Sequence, residues 1–376
     1  MELIVYNREL VPLGLVEKIT SFIWVRRYWR SGEFQLLVPF TPHHVRMLKM
    51  HHIIIKQGDS EAGEIRHIQI RQNTQGLEEI EVRGRFLTSW IGKRIVAPQI
   101  IANDTMPNII NRIVAENVTN PSNSLRRIDN ITHTGISHIQ RNRIDYKTEP
   151  FINALLAVET AARASTLGFQ IITDIRQSRH FFRIYDGNNL AIDQQINPPA
   201  IFSAEFENVL EQEFTHNTES LGSTAFVGGE ERHDMPRRVV EVGATASGLD
   251  RAEVFINATD IVQSWRDEDG TEHFIPSDQY DALLFQRGVQ TLNLFAENIA
   301  FASKVNQHSN LQYKVDYDLG DRVTCDNKRW GVRINVRITE IMEVYQNSNI
   351  PEIDITFGDS LPAIIDQIRL IAYQKG

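Results

Sequence analysis

The chain has 376 residues, is 41% hydrophobic and 23% charged, and carries a net charge of -9 from 48 acidic and 39 basic side chains. That length exceeds one compact core, so two or three domains are expected. The acidic balance argues against binding nucleic acid by neutralising phosphates, no apolar run is long enough for a transmembrane helix, and a single cysteine, Cys325, excludes an internal disulfide or a cysteine-rich zinc site.

The N-terminus, Met1-Glu2-Leu3-Ile4-Val5-Tyr6, has no basic region or cleavable apolar stretch, so no secretory signal is expected and synthesis in a reducing cytoplasm is. Residues 1 to about 100 alternate with period two. "FQLLVPF" (34–40), "IIIKQ" (53–57), "EIRHIQI" (64–70) and "EIEVRGRF" (79–86) read as strands separated by turns such as Gly58-Asp59-Ser60, a small barrel or sandwich. Leu87 to Ile91 reads as a helical turn leading out.

The pattern changes near residue 102. Asp104 or Thr105 can cap a helix with Pro107 in its first turn and Ile109, Ile110, Ile113 and Val114 on one face. A second helix is expected from about Glu149 to Thr166, with Phe151, Leu155, Val158 and Ala162 as its stripe and Leu167-Gly168 as its stop. "GFQIITDIRQSRHFFRIYDGNNL" (168–190) reads as a hairpin. Helices and strands alternating in this way suggest a small α/β domain set into a β protein.

From Ile201 the strands return, in "AFVGGEERHDMPRRVVEVG" (225–243) and in "IVQSWRDEDGTEHFIP" (261–276) with its turn at Asp269-Gly270. Ser277 reads as the cap of a helix of about twenty residues, with Tyr280, Leu284, Leu292 and Phe295 inward. The strands "QYKVDY", "DRVTC", "GVRINVRITEI" and "EIDITF" then lead to a terminal helix with Ser360 as N-cap, Pro362 in its first turn, and Leu361, Ile364, Ile365 and Ile368 on its face.

The hairpins at 51–70 and 319–341 align without a gap when Gly63 is set on Gly331 and Ile70 on Ile338. Upstream lie "EFQLLVP" and "LQYKVDY"; downstream lie "LEEIEVRG" and "IPEIDITFG", then "LTSWIGKRI" and "SLPAIIDQI". Period two is generic, so chance alternation is one explanation. The other is a duplicated β-domain; three chains would then close a ring of six similar domains.

Candidates for chemistry are few. His43-His44 and His51-His52 invite a metal, but adjacent histidines in a strand point to opposite faces and no carboxylate cluster completes a site. Cys325 has no local histidine partner. "WVRRYWR" (24–30) mixes arginines and aromatics as single-strand nucleic-acid grooves do. Period two instead puts Trp24, Arg26, Tyr28 and Arg30 on one face, which suits stacked pairs at a subunit or domain contact. "DEDG" (267–270) lacks the spacing of a calcium loop. There is no phosphate-binding glycine loop, Gly-x-Ser-x-Gly or zinc-protease helix, although a glycosidase carboxylate pair stays open. No catalytic, cofactor or metal residue is assigned.

Four passages carry a family resemblance. They are "ELIVYNRELVPLGLVEKITSFIWVRRYWRSGEFQL" from residue 2, "NPPAIFSAEFENVLEQEF" (197–214), "SKVNQHSNLQYKVDYDLGDRVT" (303–324) and "ITFGDSLPAIIDQI" (355–368). In them the chain resembles the siphophage tail-hub family, the tail-tip proteins related to the N-terminal part of tail-associated lysins and to contractile-phage baseplate hubs. The resemblance runs along nearly the whole chain and brings no active-site residues.

It implies a mainly β fold with α+β parts. Two related tube-like β-barrel domains would occupy 1–101 and part of 201–376, the latter with a long helix, and an inserted α/β domain 102–200. It implies a homotrimer, pseudo-sixfold against a hexameric ring, placed at the virion tail tip after assembly in the host cytoplasm. Expected partners are a distal tail protein ring or tail tube protein, the tape-measure protein and receptor-binding or tip fibre proteins. No cofactor, specific nucleic-acid binding or membrane segment is expected. Tail-associated lysins often carry a C-terminal peptidase or glycosidase beyond the hub, which this sequence does not contain. A cell-wall hydrolase module and a carbohydrate-binding adhesin are the alternatives.

Overall fold

A computed structural model describes residues 1–358 except 73, 75, 135–138, 140, 232–235, 244, 267–268 and 347–349. Within these, the alternating first hundred residues form β1 (Leu3–Tyr6), β2 (Pro12–Leu15), β3 (Ser21–Arg27), β4 (Glu33–Pro39), β5 (Ile53–Lys56), β6 (Ala62–Gln72) and β7 (Glu78–Phe86), with a short helix α1 (Pro42–Met47) before β5. Period two explains the strands. In β4, Phe34, Leu36 and Val38 are buried, and the residues between them are not. The helical turn expected after β7 is present at Leu87–Lys93.

Next come β8 (Ile101–Thr105), α2 (Met106–Val114), β9 (Ile131–His133), β10 (Arg143–Lys147), α3 (Ala154–Ala164), β11 (Gly168–Asp174) and β12 (Arg179–Tyr185). Thr105 sits at the N-cap position of α2, whose buried stripe includes Ile109, Ile110, Ile113 and Val114. Helix α3 begins later than Glu149 because the Asn153 side chain accepts from the amides of Leu155 and Leu156 and caps it there. Phe151 therefore precedes the helix and is 71% exposed rather than on its stripe.

The remainder comprises β13 (Ile201–Ser203), β14 (Val209–Asn217), β15 (Thr224–Gly228), β16 (Val239–Gly243), β17 (Glu253–Asn257), β18 (Ser264–Arg266), β19 (Glu272–Phe274), α4 (Ser277–Leu292), β20 (Asn298–Val305), β21 (Arg322–Asn327), β22 (Val332–Gln346) and β23 (Glu352–Gly358). Pro276, not Ser277, holds the cap position of α4, and a 3₁₀ turn, Asn293–Phe295, extends it to bring Phe295 inside. The helix expected from Ser360 lies outside the described residues. "QYKVDY" is not a strand: it makes one bridge, Tyr313 with Tyr317, because Asp316 accepts from the Gln312 amide and folds the segment into a turn. The strand in that region is β20, which follows the helical turn too closely for its alternation to stand out.

Thirteen strands form one sheet in the order β14-β20-β23-β22-β3-β4-β7-β6-β5-β1-β2, with β21 on β22 and β13 on β21. The succession β3-β4-β7-β6-β5-β1 thus recurs as β14-β20-β23-β22-β21-β13. The two units differ at the end, where β1 meets β5 antiparallel and β13 meets β21 parallel. Each carries a bulged residue at the same place, Arg66 between β6 and β7 and Thr339 between β22 and β23, and the second unit has a further shift at Leu210 between β14 and β20. Setting bulge on bulge puts Gly63 on Val336 rather than on Gly331. The strand path does not return on itself among the described residues, so two separate closed barrels are not what the hydrogen bonds form. The reason is the length of β22: past its bulge it pairs with β3 and merges the two units.

One face of each unit is apolar. Phe22, Trp24, Leu36, Ile65, Val82 and Tyr345 share a core in the first unit, and Phe202, Phe301, Ile341 and Phe357 share one in the second. The helices α2 and α3 pack into a third core that continues to Tyr6, Ile53, Leu87 and Trp90. A fourth surrounds α4 and β15–β17. Gly84 admits the Phe34 ring at the first bulge: a Cβ there would lie 2.1 Å from the Glu64 carbonyl oxygen and 2.4 Å from Phe34. Gly84→Ala is therefore expected to lower stability by about 1–3 kcal/mol, read as a drop in urea midpoint at unchanged slope; an unchanged midpoint would refute this account of the bulge.

Candidate assembly face and its buried ionic junction

The two units meet where Glu340 to Gln346 of β22 pairs antiparallel with Arg27 to Ser21 of β3. Strand β3 sorts as its alternation predicts. Phe22, Trp24 and Arg26 turn into the protein, followed by Tyr28, while Ile23 and Arg27 face the other way.

Arg26 enters a closed charge cluster. Its Nη1 donates to Asp318 Oδ1 at 2.6 Å and to the Tyr313 hydroxyl at 2.8 Å, and its Nε lies 3.4 Å from Glu61 Oε2. Lys56 donates to Glu343 Oε2 at 2.5 Å, lies 3.2 Å from Asp59 Oδ2 and sits over the rings of Trp24 and Tyr345. Lys314 reaches Asp59 at 3.1 Å from the turn that replaced the expected strand. The Trp24 indole donates to Asp59, and the Tyr345 hydroxyl donates to Glu343. The cluster thereby fastens β3, the β5–β6 turn, β22 and the 313–318 turn to one another.

Three cations face four carboxylates here, one negative charge too many for a buried site. Burial pushes the Glu61 carboxyl up to about 7, with Asp59 adding to the rise and Arg26 opposing it. Burial also acts to raise Asp59, but Arg26, Lys56 and Lys314 together hold it well below the usual carboxylate range. A proton on Glu61 balances the cluster.

The sign of the pH effect follows. The folded state keeps a proton on Glu61 that the unfolded chain releases near 4.5, so this stability is complete below pH 4.5 and lost as pH rises through about 7. Relative to Glu61→Gln, the wild type is expected to lose up to about 3 kcal/mol across that window, measured as chemical-denaturation midpoints at several pH values. Asp59 is common to both proteins and loses its contribution only in stronger acid, so parallel pH profiles would refute the assignment. Arg26→Leu leaves buried carboxylates unpaired and is expected to cost about 3–5 kcal/mol; a near-neutral effect in the same denaturation experiment would refute it.

Among the described residues, the opposite face of the sheet, running from β14 to β6, carries no core cluster: Ile23, Leu37, Met342 and Val344 belong to none of the four. Carboxylates pair with several of its cations. Arg27 reaches Glu340 at 2.6 Å and Glu33 at 2.7 Å, Lys304 reaches Glu352 at 2.5 Å, and Arg71 and Arg83 both reach Glu81. The β14 end is the more acidic. At the β14 end, burial raises the Asp354 carboxyl, and Glu352 and Glu211 add to the rise against the pull of Lys304. Toward β6, a shallow cavity of about 360 Å³ is lined by Glu33, Phe34, Arg66, His67, Arg83 and Arg85 among others, and Arg66 is paired with Glu64.

The other sequence candidates lie apart. His43 and His44 are in α1, not a strand. His44 Nδ1 lies 2.8 Å from the Pro39 carbonyl oxygen, His52 Nδ1 lies 2.7 Å from that of Met47, and His51 is 3.4 Å from Glu64. Among the described residues no three His, Cys, Asp or Glu side chains converge as a metal site would require. Cys325 is buried in β21, and burial pushes its thiol up. Asp269 and Gly270 form a hairpin turn, while Asp267 and Glu268 lie outside the described residues. Arg30 is exposed. The sequence signal for the junction was the buried face of β3; Lys56, Asp59, Glu61 and Glu343 carried none, being ordinary charges in alternating or turn segments.

The fold is shared along its length with solved phage tail proteins. The prophage tail protein gp18 of Listeria monocytogenes EGD-e matches with a TM-score of 0.57 at 10% identity, each chain covered fully. A tail protein of Neisseria meningitidis MC58 matches at 0.56 and 11% identity, covering 96% of this chain and 97% of that one. The 43 kDa tail protein of prophage MuSo2 from Shewanella oneidensis matches at 0.56 and 12% identity, covering 95% and 98%. No curated protein matches the sequence. A family model does, over residues 2–359, and the chain belongs to the siphovirus tail-protein family described as Siphovirus ReqiPepy6 Gp37-like protein.

Proposed function

We propose that this tail protein is a homotrimeric tail-tip or baseplate hub. It closes the tail tube and connects it to receptor-binding or tip fibre components, and DNA passes through its channel. The carrying observation is that two units of one strand order are fused edge to edge into a sheet with one bare face. Three such chains supply six similar units, which fits a hexameric ring of distal tail or tube protein. Each unit then forms a tube-like barrel segment of the ring, and residues 102–200 act as an added α/β domain.

Ring closure with the covered face inward would fill the channel with α2, α3 and the strands around them. The bare face inward leaves the channel open and puts 102–200 away from the axis. A wall with several of its cations paired to carboxylates gives passing DNA, or the tape-measure protein, fewer free phosphate contacts. Glu61, whose shifted carboxyl would suit acid catalysis, is sealed under Arg26 with no approach for a glycan, which counts against a hydrolase. Native mass tests the proposal. A species of three times the 43.1 kDa chain is expected; a monomer at every concentration would overturn it.

A further inference from the structure

We infer that the ring closes by an edge-to-edge strand pair between β6 of one copy and β14 of the next. This inference rests on the ring proposed above. It repeats between chains the seam that β22 and β3 make within one.

By strand order, β6 is the counterpart of β22, and β14 is the counterpart of β3. Strand β22 gives one edge to β23 and, beyond its bulge, the other edge to β3. Strand β6 gives one edge to β7, and its other edge is used by β5 and by His51 and His52 only as far as Ile65. Past Arg66 no strand pairs with that edge among the described residues. Strand β14 likewise pairs with β20 alone. Unpaired edges are usually covered or blocked. Here the same chain already contains a strand that fits each one.

The internal seam also sets the register. Ile65 and Ile338 stand opposite Gly84 and Phe357, which stand opposite Phe34 and Phe301, which stand opposite Trp24 and Phe214. Transferring the observed pair Glu343 with Trp24 places Ile70 opposite Phe214. Transferring Val344 with Ile23 places Arg71 opposite Glu213.

The chemistry of these pairs is complementary. Ile70 is 53% exposed and Phe214 is partly buried, so the contact covers apolar surface on the core side. Arg71 and Glu213 are of opposite charge and meet on the bare face. The contact is head-to-tail, the kind that closes by rotation into a ring.

The test uses the full chain with Ile70→Cys and Phe214→Cys. Mild oxidation is expected to give a thiol-reversible ladder of covalent dimer and trimer, since directly opposed strand residues lie within disulfide reach. Ile70→Cys with Glu211→Cys, out of register, is expected to give none. Independently, Arg71→Glu should shift native mass from trimer to monomer, and adding Glu213→Arg should restore the trimer. A trimer that gives no ladder at 70 and 214, or gives one equally at 70 and 211, overturns the seam while the ring stands. A protein that stays monomeric at every concentration overturns both.

Discussion

The arrangement of this protein depends on the pairing of β22 with β3 over a buried charge cluster. Burying Arg26, Lys56, Asp59 and Glu343 costs several kcal/mol per ion in lost hydration, and attraction offsets that only where geometry and hydrogen bonding are complete. Here they are: each cation has two or more acceptors, and Tyr313, Tyr345 and Trp24 occupy carboxylate oxygens that would otherwise face apolar side chains. The cluster also penalises misalignment. A one-residue slip of β3 would carry Trp24 and Arg26 to the bare face and leave Asp59 and Glu343 short of partners. Such a cluster is weak evidence for net stability, but it penalises every other register of β3.

With the seam in place, two units of one strand order present one continuous face. Two units that bury their own apolar faces still share one continuous sheet, so their polar faces are continuous with each other. The bulges at Arg66 and Thr339 increase local twist at equivalent points, which curves both units alike. The elements added to each unit fall on the covered side. Residues 102–200 extend the first core, and the β15–β17 layer with α4 interrupts the second unit between β14 and β20, strands whose counterparts β3 and β4 are a tight hairpin.

The charge on the bare face is local rather than net. The chain is acidic overall; on this face carboxylates predominate toward β14, while arginines and glutamates balance one another toward β6. Exposed pairs of this kind contribute little stability. Their consequence is that Arg27, Arg71 and Arg83 each already have a carboxylate partner.

By itself the sequence determined which segments are strands wherever alternation was strong, as in β4, β6, β7 and β22, and which face of β3 is buried. Period two is a local signal and survives without knowledge of partners. It also carried the repeat, since "EIRHIQI" and "GVRINVRITEI" keep their pattern in both units. It misplaced the repeat's register and its upstream strand because hairpin length and the Gln312–Asp316 turn are settled by which strand lies alongside, and β20 is far in sequence from the strand it resembles in role, β4. The buried cluster was invisible for the same reason: Lys56, Glu61 and Glu343 look like solvent-facing charges until four distant segments converge on them. Only the tertiary structure decided that the two units share one sheet, because a strand edge has no composition of its own and its partner is chosen by packing on the face behind it.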